Sequence, residues 1–124
     1  MIIDHIGFVV SDYEKSKEFY LKCLEPLNIS LVMEVEGWAG FGKNQKPEFW
    51  FGSHGEPHKQ MHIAFSAENR DEVNQFYKAA LEAGGKDNGA PGIREMYHPN
   101  YYGAFVIDPN GHNIEAVCHK PENA

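Results

Sequence analysis

Two histidines and one glutamate of this chain combine the residue types and the setting that a metal site needs. His5 and His62 each begin a strand-like apolar segment, HIGFVVSD and HIAFSAEN, and Glu115 lies in a third such segment, HNIEAV. Two imidazoles and one carboxylate can hold Fe, Mn, Ni, Co or Zn and leave coordination positions open for a substrate or water. We therefore expect His5, His62 and Glu115 to bind a divalent metal ion.

The two histidines occupy the same position in two copies of one sequence unit. With an offset of 62 − 5 = 57 residues, the stretch from His5 aligns without a gap on the stretch from His62. The identities are His5/His62, Ile6/Ile63, Phe8/Phe65, Phe19/Phe76, Tyr20/Tyr77, Leu24/Leu81 and Glu25/Glu82. A repeat of this length is a complete supersecondary unit, and two such units usually pack about a pseudo-two-fold axis. Such an axis can bring the two imidazoles together.

Each copy has the pattern of one strand, one helix and three further strands. The first copy has a strand at about 2–10, a capping-box pattern at Ser11 and Glu14, and the β-rich runs SLVMEV, WAGFG and EFWFGS. The second has a strand QMHIAFSA, a helix capped near Asn69, a flexible loop DNGAPG that could serve as a lid, and strands REMYH, YYGAFVID and HNIEAVCH. We predict an α+β fold in which two βαβββ modules form a cupped mixed sheet with the helices on its outer face.

The length of the chain favours one domain. Its 124 residues fit one domain, whereas half of them would make a marginal core. We predict module one at about 1–53, a linker at 54–58, module two at about 59–118 and a polar tail at 119–124.

Composition argues against several classes of partner. The net charge is −7 and no cluster of Lys and Arg is present, so we expect no nucleic-acid partner. No apolar run is long enough to span a bilayer and no cationic segment precedes the first strand, so we expect a cytoplasmic protein without a membrane partner. Cys23 and Cys118 match no metal or redox spacing and are expected to be reduced.

Strand periodicity predicts which way the candidate ligands point. Side chains of a strand alternate between its two faces, and apolar residues flank each candidate ligand in sequence. These apolar residues are Ile6, Phe8, Val10, Ile63, Phe65, Ile114 and Ala116. They should pack on the helices, which leaves His5, His62 and Glu115 on the opposite, concave face.

An aromatic loop, EMYHPNYYG, lies just before one of the last strands. Its Tyr97, His98 and Tyr101 could donate hydrogen bonds to an anionic oxygen or move a proton, and we name them as candidate catalytic residues. By parity only one of Tyr101 and Tyr102 should face the cup. The alternative is that these tyrosines have a structural role, as core or dimer-contact residues. His54, His58 and His112 lie in turns and are expected to be solvated.

The motifs DHIGFVVSDYEKSKEFY, MHIAFSA and FVIDPNGHNIEAV resemble the vicinal oxygen chelate superfamily, which includes glyoxalase I, bleomycin and fosfomycin resistance proteins and extradiol dioxygenases. The resemblance covers nearly the whole chain and implies paired βαβββ modules and, commonly, a homodimer. It also implies that the first and last strands of each module supply metal ligands, three of which match His5, His62 and Glu115.

The fourth ligand position departs from this pattern. When the turn KNQK is aligned on DPNG, Trp50 falls on Glu115, and Glu48 reaches that place only if the alignment slips. With Trp50 there, the site resembles the two-histidine, one-glutamate set of extradiol dioxygenases more than the four-ligand site of glyoxalase I. Trp50 would then form a wall of the pocket, or simply be a core residue.

These features lead to one main expectation and two rivals. The main one is a metal-dependent enzyme, with lyase, isomerase or dioxygenase chemistry, acting on a small substrate that chelates the metal through adjacent oxygens. The first rival is a metal-independent binding protein of the bleomycin-resistance type, in which Trp38, Trp50 and the tyrosines hold a planar ligand. The second is a structural dimer with a degenerate site.

Overall fold

Two four-stranded mixed sheets, each with one helix, make up this protein. The computed structural model describes residues 3–122. Module one contains β1 (Ile6–Val9), α1 (Tyr13–Leu24), a 3-10 turn (Glu25–Leu27), β2 (Ser30–Val35), β3 (Trp38–Lys43) and β4 (Lys46–Gly52). Module two contains β5 (His62–Ser66), α2 (Arg70–Glu82), β6 (Lys86–Ile93), β7 (Tyr102–Ile107) and β8 (Asn113–Cys118). The predicted α+β fold of two βαβββ modules is confirmed.

Both sheets have the same topology. The strand orders are β1-β4-β3-β2 and β5-β8-β7-β6. In each sheet the first strand pairs in parallel with the last strand of its module, and the other pairs are antiparallel. The last strand of each module therefore lies beside the first, which places their side chains next to each other on one face.

Alternation along the strands builds one core under both sheets. Phe8 in β1 and Phe49 and Phe51 in β4 are buried and pack as tilted or edge-on aromatic pairs. In module two the core-facing residues Ile114 and Ala116 of β8 are fully buried. The helices pack on each other as well as on their sheets, and Phe49 meets Phe65 of module two at 5.1 Å. One hydrophobic cluster thus contains residues of both halves.

The turn before β8 ties module two to module one. The carboxylate of Asp108 accepts a 2.5 Å hydrogen bond from the Tyr20 hydroxyl of α1, as well as bonds from the backbone N–H groups of Asn110 and His112. The expectation that His112 is solvated was wrong. Its ring is fully buried, lies edge-on to Phe8 at 5.2 Å and accepts a hydrogen bond from Met61 N–H at Nδ1.

Three local predictions were also wrong. Helix α1 is capped by Asp12, whose side chain accepts from the Lys15 N–H, because Ser11 instead bonds Asn110 through both its N–H and its hydroxyl. The segment expected to be a loop and possible lid is strand β6, and the segment expected to be strand REMYH forms turns. Strand β6 tolerates Pro91 because it lies at a sheet edge, and it accommodates its glycines by two shifts of register against β7.

Within residues 3–122, no helix is both long and apolar enough to cross a membrane. Cys23 and Cys118 are free and buried.

Candidate functional site

Two of the three expected metal ligands meet on the open face of the second sheet. His62 begins β5, and Glu115 in β8 lies directly opposite Ala64, which shares the face of His62. His62 Nε2 is 2.8 Å from Glu115 Oε1. Glu115 is only 1% exposed whereas the His62 side chain is 53% exposed, so the imidazole forms the open side of the pair.

Tyr101 completes this arrangement at the second oxygen of the carboxylate. Its hydroxyl donates a short hydrogen bond to Glu115 Oε2. Gly103 leaves room for the contact, because a Cβ there would lie 3.2 Å from both Glu115 Oε2 and the Tyr101 ring. The neighbouring Tyr102 points away and donates to Asn74. Tyr101 is therefore the tyrosine of this pair that faces the site.

The pKa of Tyr101 determines what its hydroxyl can do. Burial raises this pKa well above its usual range, and the hydrogen bond to Glu115 raises it further, because both favour the neutral phenol. At neutral pH the hydroxyl is therefore a fixed hydrogen-bond donor to Glu115 and not a base.

The other loop residues surround Tyr101. The exposed Tyr97 ring lies 4.7 Å from the Tyr101 ring, and His98 Nε2 is 2.8 Å from Nδ1 of His119. Both imidazoles meet the Tyr101 ring nearly edge-on. His119 was missed in the sequence because it lies in the polar tail. Its position four residues after Glu115, on the same strand parity, is the signal that could have found it.

The third expected ligand, His5, lies in module one. It precedes β1, its side chain is 60% exposed, and Nδ1 is 2.8 Å from Asp4 Oδ1. His5 and His62 both line a cleft of about 480 Å³ between the two sheets. Within the described part of one chain, however, no three His, Cys, Asp or Glu residues come close enough to hold a metal ion together.

Strand register identifies the module-one counterpart of Glu115. Trp50 in β4 lies opposite Gly7 in β1, just as Glu115 in β8 lies opposite Ala64 in β5, and Gly7 corresponds to Ala64 in the repeat. Trp50 therefore occupies the position of Glu115. Glu48 lies two residues earlier, 3.7 Å from Lys46 Nζ.

Trp50, Trp38 and His5 line an open cavity of about 590 Å³ in module one. Asp4 and Lys46 stand at its edge and form an ion pair at 3.0 Å.

The donors in module two fit part of a metal site. An imidazole nitrogen and a carboxylate oxygen are both common ligands of divalent ions. His62 Nε2 and Glu115 Oε1 lie 2.8 Å apart as a hydrogen-bonded pair, so both are close enough to reach one ion. One module therefore offers two ligands of suitable chemistry, and a third has to come from elsewhere.

Several solved structures share the fold. A glyoxalase/bleomycin resistance protein from Albidiferax ferrireducens T118 is 24% identical, with a TM-score of 0.85 over 95% of this chain and 99% of that one. A glyoxalase/bleomycin resistance protein/dioxygenase family enzyme from Burkholderia phytofirmans PsJN is 15% identical, with a TM-score of 0.74 over 95% and 98%. A glyoxalase-related enzyme from Fulvimarina pelagi is 17% identical, with a TM-score of 0.71 over 91% and 84%. At these identities the likeness shows the fold.

No curated protein matches the sequence. A family model does match, over residues 2–116, which is nearly the whole chain. The repeat, the paired modules and this match together show that the chain belongs to the Glyoxalase/Bleomycin resistance protein/Dioxygenase superfamily.

Proposed function

We propose that this protein is a metal-dependent enzyme whose site is completed between two subunits. His62 and Glu115 of one subunit and His5 of the partner subunit would hold one divalent ion. The substrate would be a small molecule that binds the ion through two adjacent oxygens. The observation that carries the proposal is the His62–Glu115 pair, which brings two ligands of suitable chemistry together while His5 lies in the other module.

The edges of the two sheets suggest how the subunits meet. Strands β1 and β5 each end a sheet, and within residues 3–122 each pairs along one side only. Such edges are ready to align with another strand. His5 lies immediately before β1 and His62 begins β5, so a second copy that aligned its β1 along β5 would bring the two imidazoles together. A two-fold axis would then create two identical sites per dimer.

The residues around the proposed metal site would orient its ligands and transfer protons. A bound divalent ion would polarise adjacent substrate oxygens and stabilise the negative charge that develops on them. Tyr101 fixes one oxygen of Glu115, so the other stays directed at His62. The His98–His119 pair lies beside Tyr101 and can pass a proton between its ring nitrogens.

The presence of Trp50 at the fourth ligand position limits the types of reaction that the site could support. In the position equivalent to Glu115 it supplies neither a fourth ligand nor a second carboxylate base. This favours a reaction that needs three protein ligands, such as a ring-opening dioxygenation, over a proton transfer between two carboxylates.

A second candidate function is sequestration of a small planar molecule without metal. The observation that favours it is the cavity of about 590 Å³, which contains both tryptophans of the chain. In that case replacing both His62 and Glu115 by Ala, neither of which lines this cavity, would leave ligand affinity unchanged.

Mixing two inactive variants tests the shared site. We expect His5→Ala and His62→Ala each to abolish tight binding of Mn²⁺, Fe²⁺, Ni²⁺, Co²⁺ or Zn²⁺. After subunit exchange, half of the dimers would be mixed, and one site in each would carry all three ligands. About a quarter of the metal sites should therefore return, as measured by elemental analysis and calorimetry.

The control mixes His62→Ala with Glu115→Ala, which both damage the same half-site and should restore nothing. If exchange is verified by mass spectrometry and the first mixture also restores nothing, the shared site is wrong. If neither the unmodified protein nor any variant binds a divalent ion, the metal-dependent function is wrong.

A further inference from the structure

The open face of the first sheet is a platform of glycine and tryptophan. By strand alternation this face carries Gly7 of β1, Trp38 and Gly40 of β3, and Trp50 and Gly52 of β4, opposite the phenylalanine face that forms the core. Glycine weakens a strand and commonly marks a place where another group approaches the backbone closely. The presence of three glycines beside two indoles on one sheet face therefore needs a structural explanation.

The glycines let both indoles lie on the sheet. A Cβ on Gly40 would lie 2.8 to 2.9 Å from three adjacent atoms of the Trp50 six-membered ring, so the ring covers that glycine. A Cβ on Gly52 would lie 2.7 and 2.9 Å from the two atoms at the ring fusion of Trp38. Gly7 lies between them, with Trp38 and Trp50 atoms at 3.8 and 3.6 Å from its Cβ position. One side of each indole is thus held by backbone, and both tryptophans remain only partly buried.

The charges beside the platform are mainly negative. Lys46 is the one Lys or Arg that lines the cavity within the described residues, and it already pairs with Asp4 at 3.0 Å and Glu48 at 3.7 Å. Two carboxylates against one ammonium group leave about one unit of negative charge there. An anionic ligand would be repelled, whereas a neutral or cationic one would not.

We propose that this platform binds a planar aromatic or conjugated molecule without negative charge, stacked on Trp38 and Trp50. The cavity volume of about 590 Å³ suits one small molecule, and aromatic rings gain affinity by offset stacking. The inference rests on the proposed function in taking this cavity as the substrate half of the shared site. It commits to a small molecule as the occupant and not to a second copy of the chain.

Tryptophan fluorescence can report directly on ligand binding here. The chain has two tryptophans, Trp38 and Trp50, and both line this cavity. Metal-free protein, kept in chelator, would be titrated with four matched probes. These are 2-naphthamide, 2-naphthylmethylammonium, 2-naphthoate and the non-aromatic cyclohexanecarboxamide. Tryptophan fluorescence and calorimetry would be followed together.

We expect the neutral and cationic naphthalenes to quench the fluorescence and to bind about fivefold more tightly than the naphthoate, the effect of one nearby charge. Cyclohexanecarboxamide should bind at least about fivefold more weakly than 2-naphthamide, since it cannot stack. Trp50→Leu should lower the affinity for 2-naphthamide about tenfold. Gly40→Ala should lower it as well, because its Cβ displaces the indole. Tyr77→Phe, which removes only a hydroxyl that bonds Asp87 in module two, should leave it unchanged.

The inference is overturned if no probe binds, if the aliphatic probe binds as well as the aromatic one, or if Trp50→Leu retains wild-type affinity while keeping a native circular dichroism spectrum. It is also overturned if emission changes on dilution but not with ligand, since a second copy would then cover the platform. Because the titration excludes metal, probe binding without metal binding would refute the proposed enzyme alone. Metal binding without probe binding would refute the platform alone.

Discussion

The two oxygens of the Glu115 carboxylate have different partners, and this difference defines the candidate site at the scale of single residues. Oε1 faces the exposed His62 ring, while Oε2 accepts from the Tyr101 hydroxyl in the space that Gly103 leaves open. A carboxylate held in this way loses little freedom when it binds an ion. We therefore propose that Tyr101 acts through Glu115, as a positioning residue.

Removing that hydroxyl should weaken metal binding without destroying the site. Groups that orient a ligand from behind typically contribute about 10- to 100-fold to metal affinity, so Tyr101→Phe should raise the metal dissociation constant by about tenfold or more. Calorimetric titration with Mn²⁺ or Zn²⁺ measures it. The matched control is Tyr102→Phe, whose hydroxyl bonds Asn74. Equal affinities in the two variants would contradict the role given to Tyr101.

The raised pKa values of two tyrosines predict how the stability of the fold changes at alkaline pH. Burial raises the pKa of Tyr20 well above its usual value, and the neighbouring Asp108 carboxylate raises it further; burial and Glu34 raise the pKa of Tyr13 to about 12. In the unfolded chain a tyrosine ionises near pH 10. The contribution of these neutral tyrosines to the stability of the fold is therefore complete below pH 10. It is lost as the pH rises from 10 through their raised pKa values in the folded protein.

We expect the free energy of unfolding, measured in urea between pH 8 and 12, to fall steeply above pH 10. Tyr20→Phe should reduce the slope, although it lowers stability at neutral pH by about 1 to 3 kcal/mol because Asp108 loses a donor. The exposed Tyr97→Phe should leave the slope unchanged. Identical slopes in all three proteins would show that Tyr20 does not control the alkaline transition.

At the scale of elements, helix α1 shows how a cap is chosen. Ser11 and Asp12 are both good N-cap residues. Asp12 caps the helix because Ser11 donates hydrogen bonds to the Asn110 side chain in the turn of module two. Asp12→Ala should cost about 1 kcal/mol of stability, measured by chemical denaturation, and Asp12→Asn should retain most of it. A loss in Asp12→Asn as large as in Asp12→Ala would mean that capping is not the cause.

Elements with strong periodicity could be predicted from sequence, and those decided by distant contacts could not. The paired modules followed from the repeat that aligns His5 on His62, and the sheet faces followed from strand alternation; Trp50 lies at the register position expected for it. Strand β6 was missed because its glycines and proline read as a loop, while its pairing with β7 is a tertiary contact. The burial of His112 likewise depends on Phe8, about a hundred residues earlier in the chain.

At the scale of the whole molecule, the two modules share one core and are joined by an exposed linker. Residues 53–60 are exposed, whereas Tyr20–Asp108, Phe8–His112 and Phe49–Phe65 contacts cross between the halves. A protease site inserted after Gly55 should be cut readily, and the fragments should stay together.

Size-exclusion chromatography of the cut protein checks this expectation. One native peak should contain both fragments, and it should separate only in denaturant. The control is the unmodified protein treated with the same protease, which should stay uncut. Fragments that separate under native conditions and remain folded would show that the modules are independent.

The turn at Asp108 makes the two halves of the chain chemically unequal. In the register that aligns Trp50 with Glu115, Lys43 corresponds to Asp108 and Pro47 to His112. Module one therefore has no carboxylate at this position, and module two alone supplies the acceptor for the Tyr20 hydroxyl. The Tyr20–Asp108 hydrogen bond is thus a contact between unlike halves, one that two copies of module one could not form in the same way because they lack the carboxylate.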